Sequence, residues 1–179
     1  LFGNDSTQSL SKENFLAGFF AALDDKALAS VDSASMYVNT KAEEIRTKAI
    51  EAQYADYKKE NEAFLAENKS KDGVKTTASG LQYKVITEGK GEVPTAESRV
   101  KVNYKGTLID GTEFDAREGM TFSAGHVIKG WTEALTMMPV GSKWELYVPQ
   151  ELAYGSSATG KIKPFSTLIF EIELLEIEK

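Results

Sequence analysis

The chain has 179 residues, 41% of them hydrophobic, which is enough for one large or two small domains with a real core. A formal net charge of −6 leaves no basic face for a phosphate backbone, and the absence of cysteine excludes disulfides, thiolate catalysis and cysteine-ligated metals. No run approaches ~18 apolar residues, so no helical membrane span is expected.

In chain order, a start at Leu1-Phe2-Gly3 without methionine suggests a processed product, and with the lack of cysteine it favours the periplasm or cell envelope over the cytoplasm. Ser11 can cap a helix in which Phe15, Leu16, Phe19, Phe20 and Leu23 share a face, ending near Ala29. Asp32 or Ser33 can cap a second helix reaching about Asn68, unbroken by Pro or Gly, which at 1.5 Å per residue would extend roughly 50 Å. Its apolar positions form two tracks, Ala42, Ile45, Ala49 and Ala52 on one and Ile50, Tyr54, Tyr57 and Phe64 on the other; residues 50 to 69 read as a solvated spacer. The aromatic residues before it need cover that one helix pair cannot give, so burial against a second copy is expected.

Composition changes near residue 70. All four prolines and most glycines lie beyond it, and Lys69 to Gly80 has the polar, glycine-containing character of a linker. The expected division is a helical dimerisation domain with its connecting helix over 1–70 and a second domain over 71–179. In the latter, Leu81 to Glu88 is β-prone; Val100, Val102 and Tyr104 alternate with Lys101, Asn103 and Lys105; Trp144, Leu146 and Val148 alternate with charged or polar neighbours, as do Leu168, Phe170, Ile172 and Leu174 in large part. Asp110-Gly111 marks a tight hairpin turn. Gly130 to Met138 is the one credible helix there, closed by Pro139 and Gly141. The pattern predicts an α+β fold, an antiparallel β-sheet wrapped over one short helix, preceded by an all-α segment.

Familiar catalytic motifs fail. Gly155 to Lys161 begins like a phosphate-binding loop, but Ile162 stands where Ser or Thr must reach magnesium and Pro164 prevents the required helix. A nucleophile elbow fails because Thr159 replaces glycine. His126, the single histidine, has no partner for a triad or a metal site, and no metal or other cofactor is expected. What remains is a series of aromatic residues. An aromatic, water-poor pocket can catalyse rotation about an X–Pro bond without a nucleophile, because the barrier of ~18–20 kcal/mol is amide resonance that a twisted imide has already lost.

The motifs Val102-Asn103-Tyr104-Lys105-Gly106, Glu113-Phe114-Asp115, Val127-Ile128-Lys129-Gly130-Trp131, Ala153-Tyr154-Gly155 and Thr167 to Glu171 occur in an order that resembles the FKBP-type peptidyl-prolyl isomerases over about residues 79 to 178. The resemblance implies catalytic roles for Tyr104, Asp115, Trp131, Tyr154 and Phe170, and a substrate-binding surface of Phe114, Phe122, Val127, Ile128 and Ile162. Trp131 would form the pocket floor, while the Ile128 N–H and the Tyr154 hydroxyl would donate to substrate carbonyls. Proline-containing polypeptide clients follow, with macrolides such as rapamycin as candidate inhibitors. Met120 stands near a position that is often aromatic in the family, and the loop from Ser156 to Lys163 is shorter and less apolar than the family's. Residues 1–70 resemble, more loosely, the helical dimerisation part of bacterial macrophage-infectivity-potentiator-like members, which implies a homodimer. An alternative reading is a dimeric chaperone with incidental isomerisation.

Overall fold

The computed structural model describes residues 31–178, so the expected helix from Ser11 to Ala29 lies outside the described residues. Helices α1 (Val31–Gln53) and α2 (Ala55–Asn68) are followed by β1 (Val74–Thr76), β2 (Gln82–Thr87), β3 (Arg99–Leu108), β4 (Glu113–Ser123), α3 (Lys129–Leu135), β5 (Lys143–Val148) and β6 (Leu168–Glu178), with a 3-10 turn at Gln150–Leu152. The single helix expected from Asp32 to Asn68 is thus interrupted: Tyr54 takes φ −109°, ψ 17°, outside the helical well.

By internal contacts the chain separates into Leu1–Ala52 and Gln53–Lys179. The division falls before α2, because α2 packs with the sheet and is not the solvated spacer that its sequence suggested. Asn61 and Asn68, seven residues apart, are buried on one face of α2, with Phe64 and Leu65 half-buried between them. Buried amides need hydrogen-bond partners, and each side chain finds one, although Asn68 Oδ1 itself has none. Asn61 Oδ1 accepts from the Thr167 N–H at 2.7 Å, and Asn68 Nδ2 donates to Gln82 Oε1 at 3.0 Å. Gln82 Nε2 in turn donates to the Leu65 carbonyl at 2.8 Å, which also accepts from the Lys69 N–H at 3.2 Å where the helix ends.

The six strands form one antiparallel sheet in the order β1-β2-β5-β6-β3-β4. The apolar positions expected to face inward in β3, β5 and β6 do so: Val100, Val102, Leu146, Val148, Leu168, Ile172 and Leu174 are all fully buried. Trp131, Ala134 and Leu135 of α3 complete the core on that face. Gly130 is what lets α3 lie so close, since a Cβ there would stand 2.5 Å from Val148 Cγ1. The outward face carries ion pairs such as Lys101–Glu176 and Lys143–Glu171. α3 is shorter than its expected span, ending at Leu135, with Met137 and Met138 hydrogen-bonded in the turn that follows. Two strands lay unrecognised in the sequence. β1 occupies part of the expected linker, and β4, which follows the Ile109 to Thr112 turn with Gly111 at φ 85°, has no clean alternation because its pairing with β3 shifts register twice.

Candidate active site

β3, β4 and β6 present aromatic residues toward α3, and together with two loops they enclose a cavity of about 380 Å³. It is lined by Tyr104, Phe114, Asp115, Phe122, Val127, Ile128, Trp131, Tyr154, Ile162 and Phe170, together with Thr159, Gly160 and Lys161. All ten residues singled out in the sequence therefore meet at one place. The additional three carried no signal of their own; they enter because Thr159 and Ile162 pair across a tight reversal, which carries the loop tip over the cavity. Lys161 is fixed there by donating to the Glu113 carbonyl at 2.8 Å. Met120, by contrast, stands opposite Val102, is 40% exposed and does not reach the cavity.

Trp131 occupies the base, 4% exposed, from the first turn of α3. Its indole meets three rings edge to face: Tyr104 at 5.1 Å, Phe170 at 5.1 Å and Phe122 at 5.6 Å between centroids. Phe114 meets Phe170 in the same way at 5.5 Å. Such pairs add about 0.5–1.5 kcal/mol each beyond area burial and, being directional, hold the rings in one arrangement. Gly106 makes room for it, because a Cβ there would come within 2.6 Å of the Phe114 ring and 2.9 Å of the Phe170 ring.

The polar groups are few. Tyr104 donates its hydroxyl to Asp115 Oδ2 at 2.5 Å, and Arg117 Nε lies 3.8 Å from Asp115 Oδ1. Burial, reinforced by the Asp115 hydrogen bond and charge, pushes the Tyr104 phenol up to about 12, so it keeps its proton across the neutral range. Ile128 precedes α3 in an extended conformation (φ −59°, ψ 149°); its carbonyl accepts from Trp131 and Thr132, and its N–H makes no hydrogen bond among the described residues. Tyr154 stands at the mouth, 39% exposed. His126 lies outside the cavity and pairs with Ser123 at 3.0 Å. Among the described residues no group of acidic or histidine side chains could hold a metal ion.

A preformed apolar cavity with one oriented tyrosine–aspartate pair and no nucleophile–base pair is suited to an enzyme that works by binding a distorted substrate rather than by making bonds to it. Comparison with known proteins gives the class its name. The sequence pattern of the FKBP-type peptidyl-prolyl cis-trans isomerase domain matches residues 90–175, and that of the domain amino-terminal to such isomerases matches residues 2–85. Over 95% of its length the chain is 46% identical to the FKBP-type 22 kDa peptidyl-prolyl cis-trans isomerase of Escherichia coli, of which it covers 85%. It is 51% identical over 68% of its length to the outer membrane protein MIP of Legionella longbeachae, spanning about half (54%) of that relative. Among solved structures, FkpA of Escherichia coli matches 96% of this chain and 84% of its own at 36% identity with a TM-score of 0.70. A peptidyl-prolyl cis-trans isomerase of Pseudomonas syringae matches 70% and 96% respectively at 41% identity and a TM-score of 0.67. The chain belongs to the FKBP-type peptidyl-prolyl cis-trans isomerases.

Proposed function

We propose that this protein isomerises X–Pro bonds in polypeptide clients by holding the twisted imide in the aromatic cavity, without covalent or acid–base chemistry. The observation that carries this reading is the Trp131 indole, locked by three edge-to-face rings beneath a cavity with a single oriented polar pair. The planar imide is the more dipolar form and is better solvated, so a dry wall of Tyr104, Phe114, Phe122, Val127, Trp131, Ile162 and Phe170 favours the twisted one. The Ile128 N–H and the Tyr154 hydroxyl donate to the substrate carbonyls on either side of the proline, which fixes the chain while the bond turns. Asp115 acts as the acceptor that aims Tyr104. Macrolides that mimic the twisted ketone-like imide would occupy the same cavity.

Residues 1–70 serve as the dimerisation segment, a reading supported by the match of the amino-terminal domain over residues 2–85. Two cavities per dimer would raise the effective concentration for a client with several prolines. The relative named as an outer membrane protein supports placement in the periplasm or cell envelope, over the cytoplasm.

The deciding experiment is Trp131→Ala, assayed by proline-limited refolding beside aggregation of a proline-free client. A fall of at least tenfold in isomerisation is expected. Unchanged isomerisation would reject the cavity as the site, and loss of anti-aggregation activity alone would favour the chaperone reading.

A further inference from the structure

The loop that closes the cavity mouth is gripped from behind by α2. Residues 155 to 165 form a closed excursion, sealed at its base by the Phe165 N–H donating to the Gly155 carbonyl at 2.8 Å. Tyr154 forms one foot; Lys163, Phe165, Ser166 and Thr167 form the other; Ile162 points into the cavity from the tip.

The second foot is held in a costly conformation. Phe165 has φ 63°, the one positive φ at a non-glycine residue among those described, and its side chain is 3% exposed. A bulky residue rarely adopts that region and keeps it only where the surroundings impose it. Those surroundings come from consecutive turns of α2. Lys58 Nζ lies 5.1 Å over the Phe165 ring, the Tyr57 hydroxyl hydrogen-bonds Ser166 Oγ at 3.0 Å, and Asn61 Oδ1 accepts from the Thr167 N–H at 2.7 Å. Asn61 is itself oriented by donating to the Tyr57 carbonyl at 2.8 Å. Lys163 Nζ returns the contact from 5.2 Å over the Tyr57 ring. Three side chains at 57, 58 and 61, adjacent on one helical face, thus take hold of three successive residues at the loop's exit.

We propose that α2 is part of the catalytic apparatus: Asn61 and Tyr57 are positioning residues that fix the foot of the 155–165 loop and thereby place Tyr154 and Ile162 over the substrate. The inference rests on the proposed role of the cavity. It assigns the helix before the isomerase domain a task inside each protomer, separate from connecting the two parts of the chain.

The test is a pair of double-mutant cycles in the full-length chain, read as kcat and KM for a proline tetrapeptide. Asn61→Leu keeps the volume but leaves the Thr167 N–H without its acceptor, while Tyr57→Phe removes only the hydroxyl and serves if Asn61→Leu fails to fold. Each is expected to lower kcat/KM about three- to tenfold, mainly through kcat, with circular dichroism and tryptophan fluorescence unchanged. Combined with Tyr154→Phe, each should add less than twofold, because a loop already out of place has no hydroxyl to lose. Unchanged kcat/KM in both single variants, or full additivity with Tyr154→Phe, would overturn the proposal. Should Tyr154→Phe alone be silent, the role of that hydroxyl falls while the brace is judged by the same cycle with Ile162→Ala: coupling supports it and additivity rejects it.

Discussion

Tyr104 and Asp115 lie on neighbouring strands but not opposite one another; Asp115 pairs with Gly106, and Tyr104 pairs with Arg117. The tyrosine therefore reaches diagonally along β4 to place its hydroxyl 2.5 Å from Asp115 Oδ2. A charge-assisted bond of this length orients the ring that edges onto Trp131. Tyr104→Phe and Asp115→Asn should each lower kcat/KM about three- to thirtyfold without unfolding the domain, and the double variant should be no worse than the poorer single. Peptide turnover measured on all four forms checks this; additive losses would show that the two side chains act separately.

The isomerisation rate should not vary between pH 6 and 9, since Tyr104, its phenol pushed up to about 12, stays protonated throughout. Its folded pKa lies above the ordinary value of 10, so its contribution to stability is full below pH 10 and is lost as pH rises toward 12. Alkaline denaturation should accordingly steepen in that window and be shallower in Tyr104→Phe. A bell-shaped rate profile around neutrality, or loss of activity in His126→Ala, would point to proton transfer instead.

Gly106→Ala places a methyl group against two rings that have nowhere to go, because each is already held edge to face by another. A loss of about 1–3 kcal/mol in stability is expected from overpacking, together with a weaker hold on substrate. Denaturant titration and KM for a proline peptide measure the two effects; a variant as stable and as tight as the native chain would mean the cavity wall is looser than its geometry implies.

Truncation should separate the two roles of the amino-terminal part. A chain beginning at Gln53 retains α2 and should be a folded monomer, whereas one beginning at residue 71 loses the partners of Gln82, Ser166 and Thr167 and should melt roughly 10 °C lower. Sedimentation and thermal melts compare them with the full chain. Equal melting temperatures would remove α2 from the stabilising contacts, and sedimentation of the full chain as a monomer would end the dimer reading.

Period-two alternation made β3, β5 and β6 legible, because a sheet with one wet face writes its burial directly into neighbouring residues such as Val100, Lys101 and Val102. The pocket aromatics were legible for another reason: their motifs carry a family order that survives without knowledge of the fold. Nothing local marked β4, whose pairing with β3 slips register, or β1, which exists only because β2 offers an edge. The break at Tyr54 and the burial of Asn61 and Asn68 were equally hidden. An asparagine reads as surface until a partner is known, and the partners here, Thr167 and Gln82, stand 106 and 14 residues away along the chain. Hydrophobic burial is patterned by near neighbours, so sequence determined β3, β5, β6 and the core they carry; hydrogen bonds between distant residues have no such period, so only the tertiary structure could decide that α2 packs on the sheet and stands behind the loop over the cavity.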